Sequence, residues 1–133
     1  MLFAYASATV PKITVVVRKA YGGAFLAMCA KSMGADTLVA WPTAEIAVMG
    51  AEGAVNVLYR KEINGAEDPE GEKTKRLNDF KEIFANPYFA AGHGMVDDIL
   101  EPADTRPYLA SVLEVLKAKR EIRPQKKHGL IPL

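Results

Sequence analysis

The feature of this 133-residue chain that could most readily do chemistry is a glycine turn, Gly22-Gly23-Ala24, between a β-branched run and a segment with helical spacing. The first N–H groups of a helix have no partner inside it, and the helix dipole adds partial positive charge there. Glycine has no Cβ, so a ligand can approach the backbone closely. Such a turn can stabilise an oxyanion, although a tight turn without a ligand is the commoner meaning of a glycine pair. Gly50-Ala51-Glu52-Gly53 offers a second turn of this kind, which helix packing against a strand explains equally well.

Conventional catalytic side chains are sparse. His93 and His128 are far apart and neither has metal-ligand spacing, so the sequence predicts no metal site. His93 lies between glycines in a turn and is predicted to be a surface or hydrogen-bonding residue, and His128 is predicted to be exposed in the tail. Cys29 is placed on the apolar face of a helix, where it behaves as a small hydrophobe.

Glu45 and Glu52 could in principle act as an acid–base pair. Carboxylates close in sequence are too common to carry that hypothesis alone. The chain also has no P-loop and no complete dinucleotide-binding fingerprint.

The elements that must position the glycine turn alternate between strands and helices, which predicts an α/β unit with no detectable internal repeat. Gly34 and Pro87 mark a helix end and a helix start. Strands are predicted at residues 12–17, 37–41, 45–49 and 95–100. Helices are predicted at 1–9, 25–33, 52–60 and 105–120, with a further helix ending at Phe84 and a short helical turn opened by Asn86. A surface loop is predicted at 61–74, and Asp104 or Thr105 is predicted to cap the last helix.

The whole chain fits one domain, with a folded part at residues 1–120 and an extended basic tail at 121–133. Residues 1–9 are apolar from the start with no capping residue before them, which predicts a helix whose beginning lies elsewhere. The charged stretch at 73–82 is predicted to be a solvated helix face.

Composition excludes several classes of protein. A net charge of +1 lacks the basic footprint of a nucleic-acid-binding protein. The apolar runs are too short for membrane insertion, and the N-terminus lacks the features of a signal peptide. One cysteine permits no internal disulfide, so the sequence predicts a cytoplasmic protein.

Longer motifs resemble a known family. The segments are Arg18-Lys19-Ala20-Tyr21-Gly22-Gly23-Ala24, Gly34-Ala35-Asp36, Ala40-Trp41-Pro42-Thr43-Ala44-Glu45-Ile46-Ala47-Val48-Met49-Gly50-Ala51-Glu52-Gly53-Ala54, Ala85-Asn86-Pro87-Tyr88, Gly94-Met95-Val96-Asp97-Asp98 and Lys126-Lys127-His128-Gly129-Leu130-Ile131-Pro132-Leu133. Together they are similar to carboxyltransferase subunits of biotin-dependent acyl-CoA enzymes, such as propionyl-CoA carboxylase β subunits and methylmalonyl-CoA decarboxylase α subunits. The resemblance covers essentially the whole chain.

The resemblance implies a crotonase-like fold of (ββα) repeats, of which this chain would be part of the C-terminal carboxyltransferase domain. It implies that backbone N–H groups of Gly23 and Ala24 hold the ureido oxygen of biotin, with Gly22 in the same binding turn. Leu26 would line the acyl pocket and bear on chain length. Because propionyl-CoA carboxylases commonly carry aspartate at that position, leucine argues against a propionyl-specific enzyme.

The implied reaction moves a carboxyl group between carboxybiotin and the α-carbon of a short-chain acyl-CoA, in either direction. The implied partners are an acyl-CoA, a biotin carboxyl carrier protein bearing the cofactor, the N-terminal half of the carboxyltransferase that binds the thioester, and further copies of the subunit. The isolated chain is therefore predicted to be inactive.

Two other functions fit the sequence. A crotonase-type hydratase or hydrolase without biotin would need a glutamate pair facing the glycine turn, with Glu52 the best candidate. A non-catalytic assembly fragment would use its apolar surfaces only to oligomerise.

Overall fold

The computed structural model describes residues 2–125, 127 and 129. Within them the chain forms an α/β arrangement of short elements. The strands are β1 Ile13–Val16, β2 Lys19–Tyr21, β3 Thr37–Ala40, β4 Glu45–Ala47 and β5 Asp98–Ile99. The helices are α1 Leu2–Ser7, α2 Gly22–Ala27, α3 Ala51–Leu58, α4 Arg60–Gly65, α5 Pro69–Ile83, α6 Pro87–Gly92 and α7 Thr105–Leu116, with 3₁₀ helices at Lys31–Met33 and Pro102–Asp104.

The strands form two parallel sheets, one ordered β1-β3-β5 and the other β2-β4. Ile13 pairs with Thr37 in the first sheet, and Lys19 pairs with Glu45 in the second. Parallel neighbours need a crossover, and here β1-β2-α2 and β3-β4-α3 are successive ββα units whose strands pair in order. The structure therefore contains the ββα repeat that the family resemblance implies, although no repeat is detectable in the residues themselves, because it lies in topology and not in residue identity.

The core lies around β3, where Leu38, Val39 and Ala40 are fully buried. A parallel strand covered on both faces has a continuous apolar sequence without alternation, which these residues show. Val16 of β1 and Ile46 of β4 pack into the same cluster, so both sheets share one core.

The helix predicted at residues 25–33 is wrong in both bounds. α2 begins three residues earlier, at Gly22, and ends at Ala27. The chain then turns sharply, since Cys29 has a φ of +70° and its N–H bonds to the Leu26 carbonyl. The Thr14 hydroxyl donates to the Cys29 carbonyl at 2.8 Å and ties this turn to β1. Cys29 is buried as predicted, at 3% exposure, but it is not on a helix.

The surface loop predicted at residues 61–74 is also wrong, because most of it is helical. α4 occupies its first part, and α5 begins at Pro69. The Asp68 side chain caps α5 by accepting from the Gly71 N–H at 3.0 Å, and proline suits the first turn. No residue of α5 is buried, which confirms the solvated face predicted for residues 73–82.

Near the C-terminus, Asp104 is the N-cap residue of α7, which confirms the predicted cap position, but its side chain makes no capping hydrogen bond. The Thr105 hydroxyl instead accepts from the Trp41 indole N–H at 2.9 Å. α7 ends at Leu116, four residues before the predicted bound of Arg120. Residues 121–125 have no regular secondary structure, and the rest of the predicted tail, except residues 127 and 129, lies outside the described residues.

Two aspartates fasten the start of β3. Asp36 accepts from the Lys12 N–H at 2.7 Å and from Lys119 Nζ at 2.8 Å. Asp97 accepts from the Leu38 N–H at 2.8 Å and from Lys31 Nζ at 2.9 Å. Burial acts to raise the pKa of each carboxyl, but the hydrogen bonds to the charged form outweigh it and leave both pKa values below the ordinary value.

Acid should therefore weaken the fold. A carboxyl whose pKa is lowered by folding stabilises the protein above its unfolded pKa, about 4, and loses that stabilisation as pH falls through the folded pKa. We expect the urea concentration at which half the protein is unfolded to decrease as the pH is lowered from 7 to 3. The double variant Asp36→Asn/Asp97→Asn should be less stable at pH 7 and show a smaller fall, and a fall equal to that of the unchanged chain would contradict this assignment.

Candidate active site

The glycine turn forms where β2 passes directly into α2. Tyr21 is both the last residue of β2 and the N-cap of α2, with φ −113° and ψ 134°. Gly22 has a φ of +52°, and a Cβ placed on it would lie 2.6 Å from the Val48 carbonyl oxygen. Only glycine combines this backbone conformation with so close an approach. The turn is thus held against the segment that follows β4.

Gly23 and Ala24 present their N–H groups in the first turn of α2. Within the residues the structure describes, neither N–H meets a hydrogen-bond acceptor, and both residues are exposed. A Cβ placed on Gly23 would meet nothing within 4 Å, so there is open space beside the backbone. These are the properties required of amides that could receive a ligand oxygen, since they are neither used internally nor enclosed.

Two hollows flank α2, and the structure divides the predicted site residues between them. Gly22 and Leu26 line an apolar groove of about 670 Å³ together with residues of α3, α5 and α6. Ala24 lines a second cavity of about 990 Å³ beside β1, which Arg18 and Lys19 also border. Gly23 borders neither hollow. Leu26 is 44% exposed and faces the groove, whose walls include Phe84.

Sequence reasoning missed the pairing of Tyr21 with Glu45. The Tyr21 hydroxyl donates to a carboxylate oxygen of Glu45. Burial, followed by this hydrogen bond and the charge of Glu45, raises the pKa of Tyr21 to about 12, so the phenol keeps its proton at neutral pH. In the sequence, Tyr21 could have been noticed only because it directly precedes the two glycines. The strand β2, which it ends, was not predicted.

The proposed acid–base pair of Glu45 and Glu52 receives no support from this arrangement. Glu45, on β4, accepts a hydrogen bond from Tyr21, whereas Glu52 is exposed in the first turn of α3. No hydrogen bond joins either glutamate to the turn within the described part of the chain.

The remaining candidates stay outside the site. His93 Nδ1 lies 2.8 Å from the Phe89 carbonyl oxygen and its side chain is exposed, which matches the predicted hydrogen-bonding role. His128 is outside the described residues. Among the residues that are described, no cluster of three or more His, Cys, Asp or Glu side chains could hold a metal ion, and no helix is long and apolar enough to cross a membrane.

Comparison with known proteins gives a consistent match. The carboxyl transferase domain family matches residues 1–131. The methylmalonyl-CoA carboxyltransferase 12S subunit of Propionibacterium freudenreichii subsp. shermanii is 58% identical over 132 residues, covering 99% of this chain and 25% of that protein. The methylmalonyl-CoA decarboxylase subunit alpha of Propionigenium modestum is 54% identical over 133 residues, covering all of this chain and 26% of that protein.

Solved structures agree with these relatives. The transcarboxylase 12S crystal structure with methylmalonyl-coenzyme A and methylmalonic acid bound superposes with a TM-score of 0.90 at 57% identity, covering 99% of this chain and 25% of that one. The β subunit of Pseudomonas aeruginosa geranyl-CoA carboxylase superposes with a TM-score of 0.73 at 29% identity, covering 96% of this chain and 25% of that one. The predicted fold class, a partial α/β carboxyltransferase domain of crotonase-like ββα units, is confirmed. The chain spans about a quarter of the length of these relatives.

Proposed function

Because the chain belongs to the carboxyl transferase family, we propose that it is one segment of a biotin-dependent carboxyltransferase acting on a short-chain acyl-CoA. The two relatives named above that are more than half identical to this chain over their aligned residues and are not solved structures are methylmalonyl-CoA enzymes, which favours an acyl-CoA of that size over geranyl-CoA. The observation that carries the proposal is the pair of first-turn amides at Gly23 and Ala24, which are exposed and have no acceptor among the described residues.

These amides fit the ureido oxygen of biotin. Two adjacent N–H donors can stabilise one oxygen as negative charge develops on it, and the clear space beside Gly23 lets a ring approach the backbone. Gly22 shapes the turn by accepting a positive φ. Biotin, when bound, supplies the nitrogen that carries the carboxyl group. The residues of this chain bind and orient the oxygen, and each amide contributes on the order of 3 kcal/mol to lowering the barrier.

Leu26 would contact the acyl group or the ring from the groove side. The groove walls are almost wholly apolar and include Val48 and Met49, which suits hydrocarbon and not a charged group.

The complete activity requires partners. We propose that the rest of the carboxyltransferase binds the acyl-CoA thioester, that a carrier protein delivers biotin, and that copies of the subunit assemble. Phe3 and Val115 are 74% and 80% exposed and line neither hollow, as expected of surfaces that pack on other parts of an assembly. With its one cysteine buried and free, the protein suits the reducing cytoplasm.

A chimera tests the proposal. This chain would replace the matching quarter of the 12S relative, and carboxyl-radiolabelled methylmalonyl-CoA would be supplied with free biotin as acceptor. We expect label to move to biotin in the chimera and no turnover by the isolated chain. A stable, assembled chimera that fails to label biotin would contradict the proposal, and turnover by the chain alone would contradict its incompleteness.

Replacing Glu52 by glutamine separates this function from that of a hydratase or hydrolase. Because Glu52 is exposed and is not bonded to the glycine turn within the described residues, biotin-dependent transfer in the chimera should change by no more than about twofold. A hydratase that used Glu52 as its acid or base would lose about a hundredfold or more. The measurement is the initial rate for Glu52→Gln beside the unchanged chimera, and the larger loss would favour the hydratase.

A further inference from the structure

Tyr21 lies where the end of β2 meets the N-termini of α2 and α3. It ends β2 and caps α2 with its backbone, while its ring lies against Gly50, the N-cap of α3. A Cβ placed on Gly50 would be 3.4 Å from the Tyr21 ring carbon Cε2. The side chain therefore contacts the second ββα unit while the backbone begins the turn of the first.

We propose that Tyr21 is a positioning residue for carboxyl transfer, holding the first turn of α2 in place through the hydrogen bond of its hydroxyl to Glu45. The inference rests on the proposed function and assigns a role to two residues that do not themselves contact substrate. Tyr21 acts through the amides of Gly23 and Ala24, which follow it after Gly22.

Strand register explains how the hydrogen bond can do this. Tyr21 pairs with Ala47 and Lys19 pairs with Glu45, so Tyr21 and Glu45 lie two places apart on the same face of the two-stranded sheet. The phenol reaches back along that face and ties the end of β2 to the start of β4. Since a two-stranded sheet is marginally stable by itself, a side-chain tie across it restricts how β2 delivers the chain into α2.

The residue after Tyr21 is also closely packed. Gly22 approaches the Val48 carbonyl, and the amides of the following two residues have no internal acceptor within the described residues. The Ala24 carbonyl accepts from the Met28 N–H, so α2 itself helps to orient these amides, while β2 determines where that helix begins. A displacement of about 1 Å in a catalytic group can cost about a hundredfold in rate, so a smaller loosening should cost about tenfold.

The test compares four variants in the chimera described above. Tyr21→Phe and Glu45→Ala should each lower kcat about tenfold and leave KM for the acyl-CoA unchanged, because the thioester is bound elsewhere. The double variant should be no slower than either single variant, since both remove the same bond. Glu45→Gln keeps an oxygen that can accept from the phenol and should restore most of the rate.

The outcomes separate this inference from the proposed function. An active chimera whose Tyr21→Phe variant matches it in kcat overturns the positioning role alone. Equal losses in kcat and thermal stability for Glu45→Gln and Glu45→Ala would also overturn it, because the charge of Glu45 and not the bond would then matter. A chimera with no biotin-dependent transfer overturns the proposed function and this inference with it.

Discussion

Replacing Gly23 by proline should slow biotin-dependent transfer in the chimeric subunit by about a hundredfold or more. Proline removes the N–H at this position, and loss of one oxyanion donor typically has an effect of that size. The fold should survive, because proline is tolerated in the first turn of a helix and the space beside Gly23 is open. The measurement is the initial rate of label transfer, with the thermal midpoint recorded for the same preparation.

The matched control places proline at the same helical position in α3. Glu52 is the second residue of α3, as Gly23 is of α2, so Glu52→Pro also removes one first-turn N–H. We expect this variant to transfer carboxyl at close to the unchanged rate. Normal turnover in a folded Gly23→Pro variant would count against the proposed site, and equal losses in both variants would show that proline acts through the fold.

Replacing Gly22 by alanine should lower the free energy of unfolding of the chain by about 3 kcal/mol. A left-handed backbone costs an L-residue about 1–2 kcal/mol, and relieving a forced contact costs about 1–3 kcal/mol. Both penalties apply, since Gly22 has a φ of +52° and the new Cβ would start 2.6 Å from the Val48 carbonyl oxygen. Urea-induced unfolding followed by circular dichroism measures the change.

Gly23→Ala provides the control for that experiment. Gly23 is the next residue of the same helix, it is not among the positive-φ glycines, and its Cβ would meet nothing within 4 Å. Its free energy of unfolding should change by less than about 1 kcal/mol, and alanine could even stabilise the helix. A loss as large as that of Gly22→Ala would mean that the strain assigned to Gly22 is not the cause.

Features governed by local sequence were the most predictable. The β-branched run became β1, and the Asn86-Pro87 pair opened α6, where the Asn86 side chain accepts from the Phe89 N–H at 2.8 Å. Gly34, with a φ of +85°, ends the 3₁₀ helix after Cys29, as a glycine at a helix end does. Each of these features depends on neighbours a few residues away, which a sequence displays directly.

Features governed by distant contacts were not predictable from the pattern. β2 is a three-residue strand whose existence depends on pairing with β4, and Tyr21 meets Glu45 only in that register. α4 packs against α5, so a polar segment that resembles a loop is helical. The break at Cys29 is stabilised by Thr14 of β1, which is equally remote in sequence.

The candidate site was located by resemblance and not by chemistry alone. A glycine pair before a helix occurs in many proteins, and only the longer family motifs connect Gly23 and Ala24 with biotin. The structure adds that both amides lack acceptors among the described residues. It also separates Leu26, on the apolar groove, from Ala24, on the cavity beside β1, a division that no linear motif could indicate.

The most direct measurement replaces the amide of Ala24 by an ester, by incorporating lactic acid at that position of the chimera, so that a single N–H is lost and the side chain is unchanged. If that hydrogen donates to the ureido oxygen, label transfer to biotin should fall by about a hundredfold while KM for methylmalonyl-CoA stays the same. Transfer at the unchanged rate by the ester-containing protein would contradict the binding of biotin by these amides.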